Sequence, residues 1–377
     1  MTVPSIPLSA PWETLAFSLL LLVAPAVAEP LNRRWHLPSM ATALAVALFA
    51  PRADIAYVAV AVGALLHARS AWSLTRTGAT MLIVSAAVAV AVAVALTMGH
   101  LAVAFWLSCL AIALRAGVMP LHVGAASLCD RAPVVQTQQL ATAIALVFVH
   151  LRFVDHHDAA ILAGPAIVRY GAAAALVAAL ITLVQRDLRG FYRGTMAMHA
   201  GMLIAAVGSA SIGNFGAALL VTVTMGLALG GLGMMITSLE ERVGAVSFVG
   251  PGGRVGTFPR LAAAFALFAG AGVGLPGTAG FVADDLLLHT LWMESPAATV
   301  AVILSSAVLA VSSLTAFSKT FLGRTTPSRA SDLYLRERLV AVVLIVLLLL
   351  LGFAPDILIG PADAFLRVVP GANTAIG

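Results

Sequence analysis

The chain has 377 residues, of which 61% are hydrophobic and only 10% are charged. Soluble globular proteins carry about 25% charged residues, so this chain cannot cover a water-facing surface with polar groups. The composition excludes a soluble enzyme, a disordered chain and a nucleic-acid-binding protein, and it predicts a polytopic membrane protein. The net charge of +5 comes mainly from arginines, which lie in short loops as expected of the cytoplasmic side of a membrane protein.

A helix needs about 20 mostly apolar residues to cross the hydrocarbon core of a membrane. By that criterion the sequence predicts an all-α transmembrane helix bundle of about twelve spans. The windows are 12–29, 37–50, 54–67, 78–98, 100–117, 134–151, 161–184, 194–213, 214–238, 261–278, 298–318 and 339–354. The second and third windows, within 37–67, are either two thin spans or one kinked hairpin. The first 28 residues resemble a signal peptide but lack a positively charged start, so we expect a retained first span.

No soluble domain interrupts these spans, so we expect a single integral membrane domain over 1–377. It would comprise N-terminal spans at 1–77 and two halves at 78–213 and 214–377. Arginines concentrate in the loops after odd-numbered spans, which predicts a cytoplasmic location for those loops and an N-terminus outside the cell inner (plasma) membrane. The segment 281–297 is too polar and short to cross, and we expect it to be re-entrant.

Two Gly/Pro-rich stretches break the hydrophobic pattern. The first contains Pro120 and Pro133, and the second contains Pro276 and Gly280. Irregular backbone at membrane depth is tolerated only where protein or a water-filled cavity surrounds it. Transporters use pairs of interrupted helices around ion sites, so two interrupted helices are predicted here. The alternative is a pair of ordinary interhelical loops rich in Gly and Pro.

Three ionisable residues stand within or beside predicted spans. Arg115 follows an apolar run, and a charge inside a span is costly and usually marks a pathway; the alternative is a snorkelling side chain at a helix end. His199 could relay protons because imidazole titrates near neutral pH, or it could be a hydrogen-bonded packing residue. Lys319, the only lysine, could belong to the same ion path or anchor a helix at the interface.

Three further polar positions complete the predicted proton or ion path. His122 lies in the first break, Gln139 lies at the start of a span, and Asp285 lies at the second break. A buried amide such as that of Gln139 could hold water or bond a neighbouring helix, and acids such as Asp285 also suit a helix start. The cluster from Asp155 to Asp158 has metal-ligand types, but its consecutive spacing favours a solvated loop.

Motifs of hydrolytic, redox or phosphate-binding chemistry are absent from the sequence. We therefore predict no catalytic residue, no cofactor, no metal site and no enzymatic activity for the chain by itself. It could still be a subunit of a translocating oxidoreductase.

Four motifs occur in order between residues 101 and 323. They are Arg115 to His122 followed by Ala132-Pro133; Asp187-Leu188-Arg189 followed by Thr195 to Gly201; Phe215 to Ala218; and Gly274-Leu275-Pro276 with Gly280-Phe281 and Asp284-Asp285. With these motifs the chain resembles the antiporter-like membrane subunits of respiratory complex I, Mrp-type cation/proton antiporters and group 4 hydrogenases. The resemblance implies a proton-translocating role within a larger complex.

The chain also departs from the family pattern. Arg115 stands where the family keeps a lysine, and Asp284 stands at the lysine of the last motif. Glutamines replace the family's histidines after Pro133. The span 214–238 lacks the family's histidines and lysine, so the resemblance implies that the half at 214–377 is degenerate. Arginine keeps its proton at accessible pH, so Arg115 would act only through its field. We expect it to face the interior and pair with a helix carbonyl end or with one of three carboxylates, those of Asp130, Asp187 and Asp285.

The resemblance leaves several functions open. The first is a subunit that conducts protons or cations, or couples to them, in an energy-converting complex. The second is the membrane subunit of an inorganic-carbon (bicarbonate or CO2) uptake complex, working with a zinc-bearing, carbonic-anhydrase-like partner. A third is a degenerate, non-conducting scaffold. In each case the expected partners are other membrane subunits, the lipid bilayer and protons or monovalent cations, and no nucleic acid.

Overall fold

The computed structural model describes residues 36–50, 52–131, 133–153, 158–210, 215–249, 252–324 and 330–360. The predicted first span at 12–29 lies outside these residues, as does most of the Asp155 to Asp158 cluster. Within the described part the chain is organised as thirteen named helices. They are α1 (His36–Phe49), α2 (Ala53–Ala71), α3 (Arg76–Thr97), α4 (Leu101–Ala116), α5 (Val123–Arg131), α6 (Pro133–Phe153), α7 (Asp158–Leu183), α8 (Leu188–Ala210), α9 (Phe215–Val243), α10 (Pro259–Gly272), α11 (Ala279–Glu294), α12 (Pro296–Phe321) and α13 (Leu335–Phe353).

Five of these helices are long and apolar enough to cross a membrane: α2, α3, α7, α9 and α12. Three shorter apolar helical segments lie in α4, α6 and α10. The chain is therefore a membrane helix bundle, in agreement with its composition. The helices α1 and α2 pack against each other, and most of the segment 281–297 lies in α11.

Two predicted windows differ from the helices at their ends, for local reasons. The window 261–278 runs past the end of α10 at Gly272, because the following residues are apolar but form a turn. The window 194–213 starts six residues after the beginning of α8 at Leu188. The first two turns of α8 contain Arg189 and Arg193, which hydropathy rejects. The Asp187 carboxylate accepts a hydrogen bond from the Gly190 amide at 2.6 Å, which caps the helix.

The closest helix packing joins α7 to α8 through glycine. A Cβ atom on Gly201 would lie 2.5 Å from the backbone nitrogen of Ala175, and one on Gly208 would lie 2.9 Å from Ile167 Cγ2. Small residues let helix backbones approach closely, which is how helices gain van der Waals contact inside a membrane. This contact fixes α8, the helix that carries His199, against α7 and its neighbour α12.

Ion pairs connect the start of α8 and the end of α9 to each other and to neighbouring helices. Arg189 of α8 bonds Glu240 of α9 at 2.5 Å, and Arg193 pairs with Asp130 at the end of α5. Arg242 of α9 bonds Glu337 of α13 at 2.5 Å, with both side chains no more than 5% exposed. A buried pair of this kind holds its helices in register, because separating it leaves an uncompensated charge.

Candidate functional site

The first Gly/Pro segment forms the turn between α4 and α5. The helix α4 ends at Ala116, and Gly117 follows in the left-handed conformation with a φ of 77°. A Cβ on Gly117 would lie 2.5 Å from the Ala125 Cβ, so α5 folds closely against the end of α4. Pro120 lies within this turn, and the Tyr170 hydroxyl of α7 donates to the Met119 carbonyl. The turn is thus held by a helix outside the segment.

Arg115 lies in the last turn of α4 and is only 1% exposed, among the largest buried side chains in the described part of the chain. The carboxylates considered as partners have other positions. Asp130 pairs with Arg193, Asp187 caps α8, and Asp285 is exposed. The pairing of Arg115 therefore stays a prediction, while its interior location places a permanent charge beside the first turn.

His199 joins α8 to the second Gly/Pro segment. Its side chain is 8% exposed, with Nε2 2.7 Å from the Gly272 carbonyl oxygen and Nδ1 2.9 Å from the Thr195 carbonyl oxygen. Gly272 is the last residue of α10, where backbone carbonyls lack partners within the helix. The His199 imidazole is a hydrogen-bond partner for one of these carbonyls, that of Gly272.

The two contacts of His199 have a chemical consequence. A neutral imidazole donates from only one nitrogen, whereas both contacts of His199 are to carbonyl oxygens, which only accept. Both are satisfied together when the ring carries a second proton, and the negative end of the α10 dipole favours that charge. Burial opposes the charge, so the two effects act on the ring in opposite directions.

The second Gly/Pro segment is the turn between α10 and α11. Gly274 and Gly277 have φ values of 84° and 88°, and Pro276 lies between them. Gly280, in the first turn of α11, faces the Ala271 carbonyl so closely that a Cβ would overlap it. The glycines therefore allow α11 to start directly against the end of α10, beside the Gly272 carbonyl.

The two adjacent acids of α11 face different surroundings. Asp284 is half-buried and Asp285 is exposed. A Cβ on Gly274 would lie 2.8 Å from Asp284 Oδ2, so the Asp284 carboxylate lies against the second turn. Asp284 is thus the acid closer to the end of α10, whereas the sequence analysis placed Asp285 in the ion path. The sequence signal for Asp284 was its position in the last motif, at which the family keeps a lysine.

The remaining predicted positions are less buried or less fully described. His122 is half-buried in the first turn, and Lys319 is exposed in the last turn of α12. Pro133 is the first residue of α6, and Gln139 lies in the same helix, but both side chains are outside the described part. Among the predicted path residues whose side chains are described, Arg115 and His199 are the buried ones, and they lie on the contacting helices α4 and α8.

A buried polar chain that the sequence did not predict lies near the N-terminal half of α4. The Tyr57 hydroxyl is 2.5 Å from Ser108 Oγ, which is 2.8 Å from His150 Nδ1. The only feature of the sequence that could have pointed to these residues is the spacing of Ser108 and Arg115. They are seven residues apart and so share a face of α4.

The fold and these positions define an integral membrane helix bundle with ionisable groups inside it, beside turns rich in Gly and Pro. The family model described as NADH:quinone oxidoreductase/Mrp antiporter, transmembrane, matches residues 50–310. The chain belongs to this family, as its motifs predicted.

Curated relatives share part of the chain. It is 28% identical over 182 residues to NADH-quinone oxidoreductase subunit M of Escherichia coli (strain K12), covering 47% of this chain and 36% of the relative. It is 28% identical over 205 residues to subunit M of Rhodobacter capsulatus, covering 52% of this chain and 39% of the relative. The chain thus spans well under half the length of these relatives.

Solved structures share the fold over nearly the whole chain. A chain of respiratory complex I from Thermus thermophilus superposes with a TM-score of 0.77 at 22% identity, covering 95% of this chain and 84% of that one. A chain of the Mrp complex from Dietzia sp. DQ12-45-1b gives a TM-score of 0.74 at 18% identity, covering 98% and 85%. At these identities the likeness concerns the fold alone.

Proposed function

We propose that this chain is a membrane subunit of a multi-subunit, energy-coupled complex and that it conducts protons or couples to their movement. Its family and its relatives, which are named as subunits of a quinone oxidoreductase, support a role inside a larger assembly. The observation that carries the proposal is His199, a titratable ring placed between two carbonyl acceptors at the end of α10. Redox or ion-gradient energy would come from the partner subunits.

Each buried group has a distinct part in this proposal. His199 takes up and releases the proton, since it is the group able to change charge between two fixed acceptors. Arg115 keeps its charge and sets the electrostatic field near the first turn. Asp284 provides a carboxylate beside the second turn. His122, Gln139, Asp285 and Lys319 would serve nearer the ends of the path, where it meets water.

The proposal also includes the finer architecture. The two Gly/Pro turns would interrupt membrane-embedded helices, one in the half at 78–213 and one in the half at 214–377. About twelve spans would place the N-terminus outside the inner membrane and the arginine-rich end of α8 in the cytoplasm. The ion pairs of Arg189 and Arg193 would then lie at the cytoplasmic surface.

The inorganic-carbon uptake complex and the non-conducting scaffold remain alternatives to this proposal. No structural observation favours the first, and the relatives named above carry no indication of carbon transport. The scaffold alternative differs in one measurable property, since it predicts no ion movement through the chain.

The experiment uses the intact complex, isolated from its own membranes through an affinity tag on this chain. The complex is reconstituted into liposomes containing the pH-sensitive dye pyranine, and a potassium diffusion potential is imposed with valinomycin. We expect proton movement well above that of protein-free liposomes. An intact complex that moves no protons would contradict the proposal and favour the scaffold; movement of sodium instead of protons would reassign the ion.

A further inference from the structure

A hydrogen-bonded chain of three side chains crosses the bundle between α2, α4 and α6. Tyr57, Ser108 and His150 are each fully buried, and the two contacts within the chain measure 2.5 Å and 2.8 Å. The Phe105 ring lies 5.6 Å from the imidazole, centroid to centroid, and adds an apolar wall. The chain therefore runs through protein interior and not along its surface.

The chemistry of the three groups is suited to proton transfer. A phenol, an aliphatic hydroxyl and an imidazole each both donate and accept hydrogen bonds. A proton can therefore pass along the chain by reversing the direction of each bond.

The hydrogen-bonded side chains and Arg115 are connected through one face of α4. Ser108 and Arg115 are seven residues apart on α4, which places them on one helix face about 10 Å apart along the axis. Long side chains on a helix generally lean toward its N-terminus, which is the direction of Ser108. The positions between them on this face, Ala111 and Ile112, are small or apolar and buried. The hydrogen-bonded chain therefore lies on the same face of α4 as a buried, permanently charged side chain.

We propose that Tyr57, Ser108 and His150 form a proton relay that works beside Arg115. The proposal rests on the proton-conducting function proposed above, and it adds three residues to the path. A proton arriving from a water molecule binds His150 Nε2. The proton on Nδ1 then passes to Ser108 Oγ, the Ser108 proton passes to the Tyr57 oxygen, and the Tyr57 proton leaves to water. One proton enters and one leaves. Rotation of the two hydroxyls and a flip of the His150 ring, which turns its proton-bearing nitrogen back toward Ser108, reset the relay.

The test removes single hydroxyl groups and uses matched controls. Ser108→Ala and Tyr57→Phe each interrupt the relay while preserving most of the side-chain volume. Ser209→Ala and Tyr192→Phe remove equally buried hydroxyls that donate to backbone carbonyls, those of Ala206 at 2.9 Å and Leu229 at 3.0 Å. All four variants are purified as the intact complex, and proton flux is measured in liposomes together with the thermal unfolding midpoint.

The relay predicts at least a tenfold loss of proton flux for Ser108→Ala and for Tyr57→Phe, and no further loss in the double variant, because both residues act in one series. The two controls should stay within twofold of the unchanged complex. Ser108→Thr, which restores a hydroxyl, should recover part of the flux.

Two results would overturn the relay. One is a Ser108→Ala or Tyr57→Phe complex that assembles normally and keeps more than half of the flux. The other is a loss of proton flux that accompanies a lower unfolding midpoint to the same extent in the test and the control variants. The three side chains would then only hold their helices together. If Ser108→Ala fails to assemble, Tyr57→Phe decides alone. Absence of flux in the unchanged complex would instead count against the proposed function itself.

Discussion

The imidazole of His199 on α8 bonds the carbonyl of Gly272, 73 residues further along the chain, at 2.7 Å. This contact links a titratable side chain to the residue at which α10 ends. Because the same ring also contacts the Thr195 carbonyl, a change in its protonation alters a contact at the second turn. We therefore expect proton occupancy of His199 to be coupled to the position of the α10 end.

Arg115 should be required for activity but not for insertion. Arg115→Ala removes a charge that is costly to bury, by about 2.5–3.5 kcal/mol on insertion scales, so membrane insertion should be unaffected. Proton flux through the intact complex should be lost. Arg115→Lys should keep part of the flux, because the charge stays while the planar guanidinium is lost. Full flux in Arg115→Ala at normal abundance, measured by immunoblot, would identify Arg115 as a snorkelling anchor.

The adjacent acids of α11 provide an internal comparison. Asp284→Asn should lower proton flux strongly, because the Asp284 carboxylate lies against the turn at Gly274. Asp285→Asn removes the same charge from an exposed position one residue away and should change the flux less than twofold. Equal losses in both variants, or a larger loss for Asp285→Asn, would show that the path follows the exposed acid instead.

Gly117 should tolerate substitution less well than another glycine with the same backbone conformation. Gly117→Ala and Gly99→Ala both place a side chain at a φ near 78°, which costs roughly 1–2 kcal/mol. The Gly117 substitution also forces a Cβ to 2.5 Å from the Ala125 Cβ, whereas Gly99 has nothing within 4 Å. The thermal midpoint should fall clearly further for Gly117→Ala. Equal midpoints would mean that α5 is not packed tightly against the end of α4.

The buried ion pair between Arg242 and Glu337 should contribute strongly to stability. Glu337→Ala leaves Arg242 without its carboxylate partner at a site that is 4% exposed, and breaking such a pair costs about 3–5 kcal/mol. The control is Asp54→Ala, since Asp54 pairs with the largely exposed Arg52. Thermal unfolding should show a large drop for Glu337→Ala and almost none for Asp54→Ala. Similar midpoints would show that solvent reaches the Glu337 site.

Much of the helix order follows from hydropathy because a buried or lipid-facing helix needs an uninterrupted apolar stretch. The window 298–318, for example, lies within α12 at Pro296–Phe321. Hydropathy failed at Gly272, because glycine, valine and leucine are apolar whether they continue a helix or form a turn. It also missed the first two turns of α8, where Arg189 and Arg193 are paired with carboxylates from other helices.

The site was less predictable because its contacts join distant parts of the chain. The burial of Arg115 follows from the apolar run before it, but Tyr57 and His150 meet Ser108 across 51 and 42 residues. Neither residue stands in a recognisable motif. Which of Asp284 and Asp285 lies against the turn at Gly274 depends on the rotation of α11 about its axis. Two adjacent residues of the same type give no information about that rotation.

The most direct measurement is the proton flux of the intact complex carrying His199→Gln, compared with the unchanged complex in the same liposomes. Glutamine can still donate a hydrogen bond toward the Gly272 carbonyl but cannot accept and pass on a proton. Assembly and the unfolding midpoint should therefore stay close to those of the unchanged complex, while proton flux falls at least tenfold. An assembled His199→Gln complex with unchanged flux would contradict the central claim that His199 carries the proton at the end of α10.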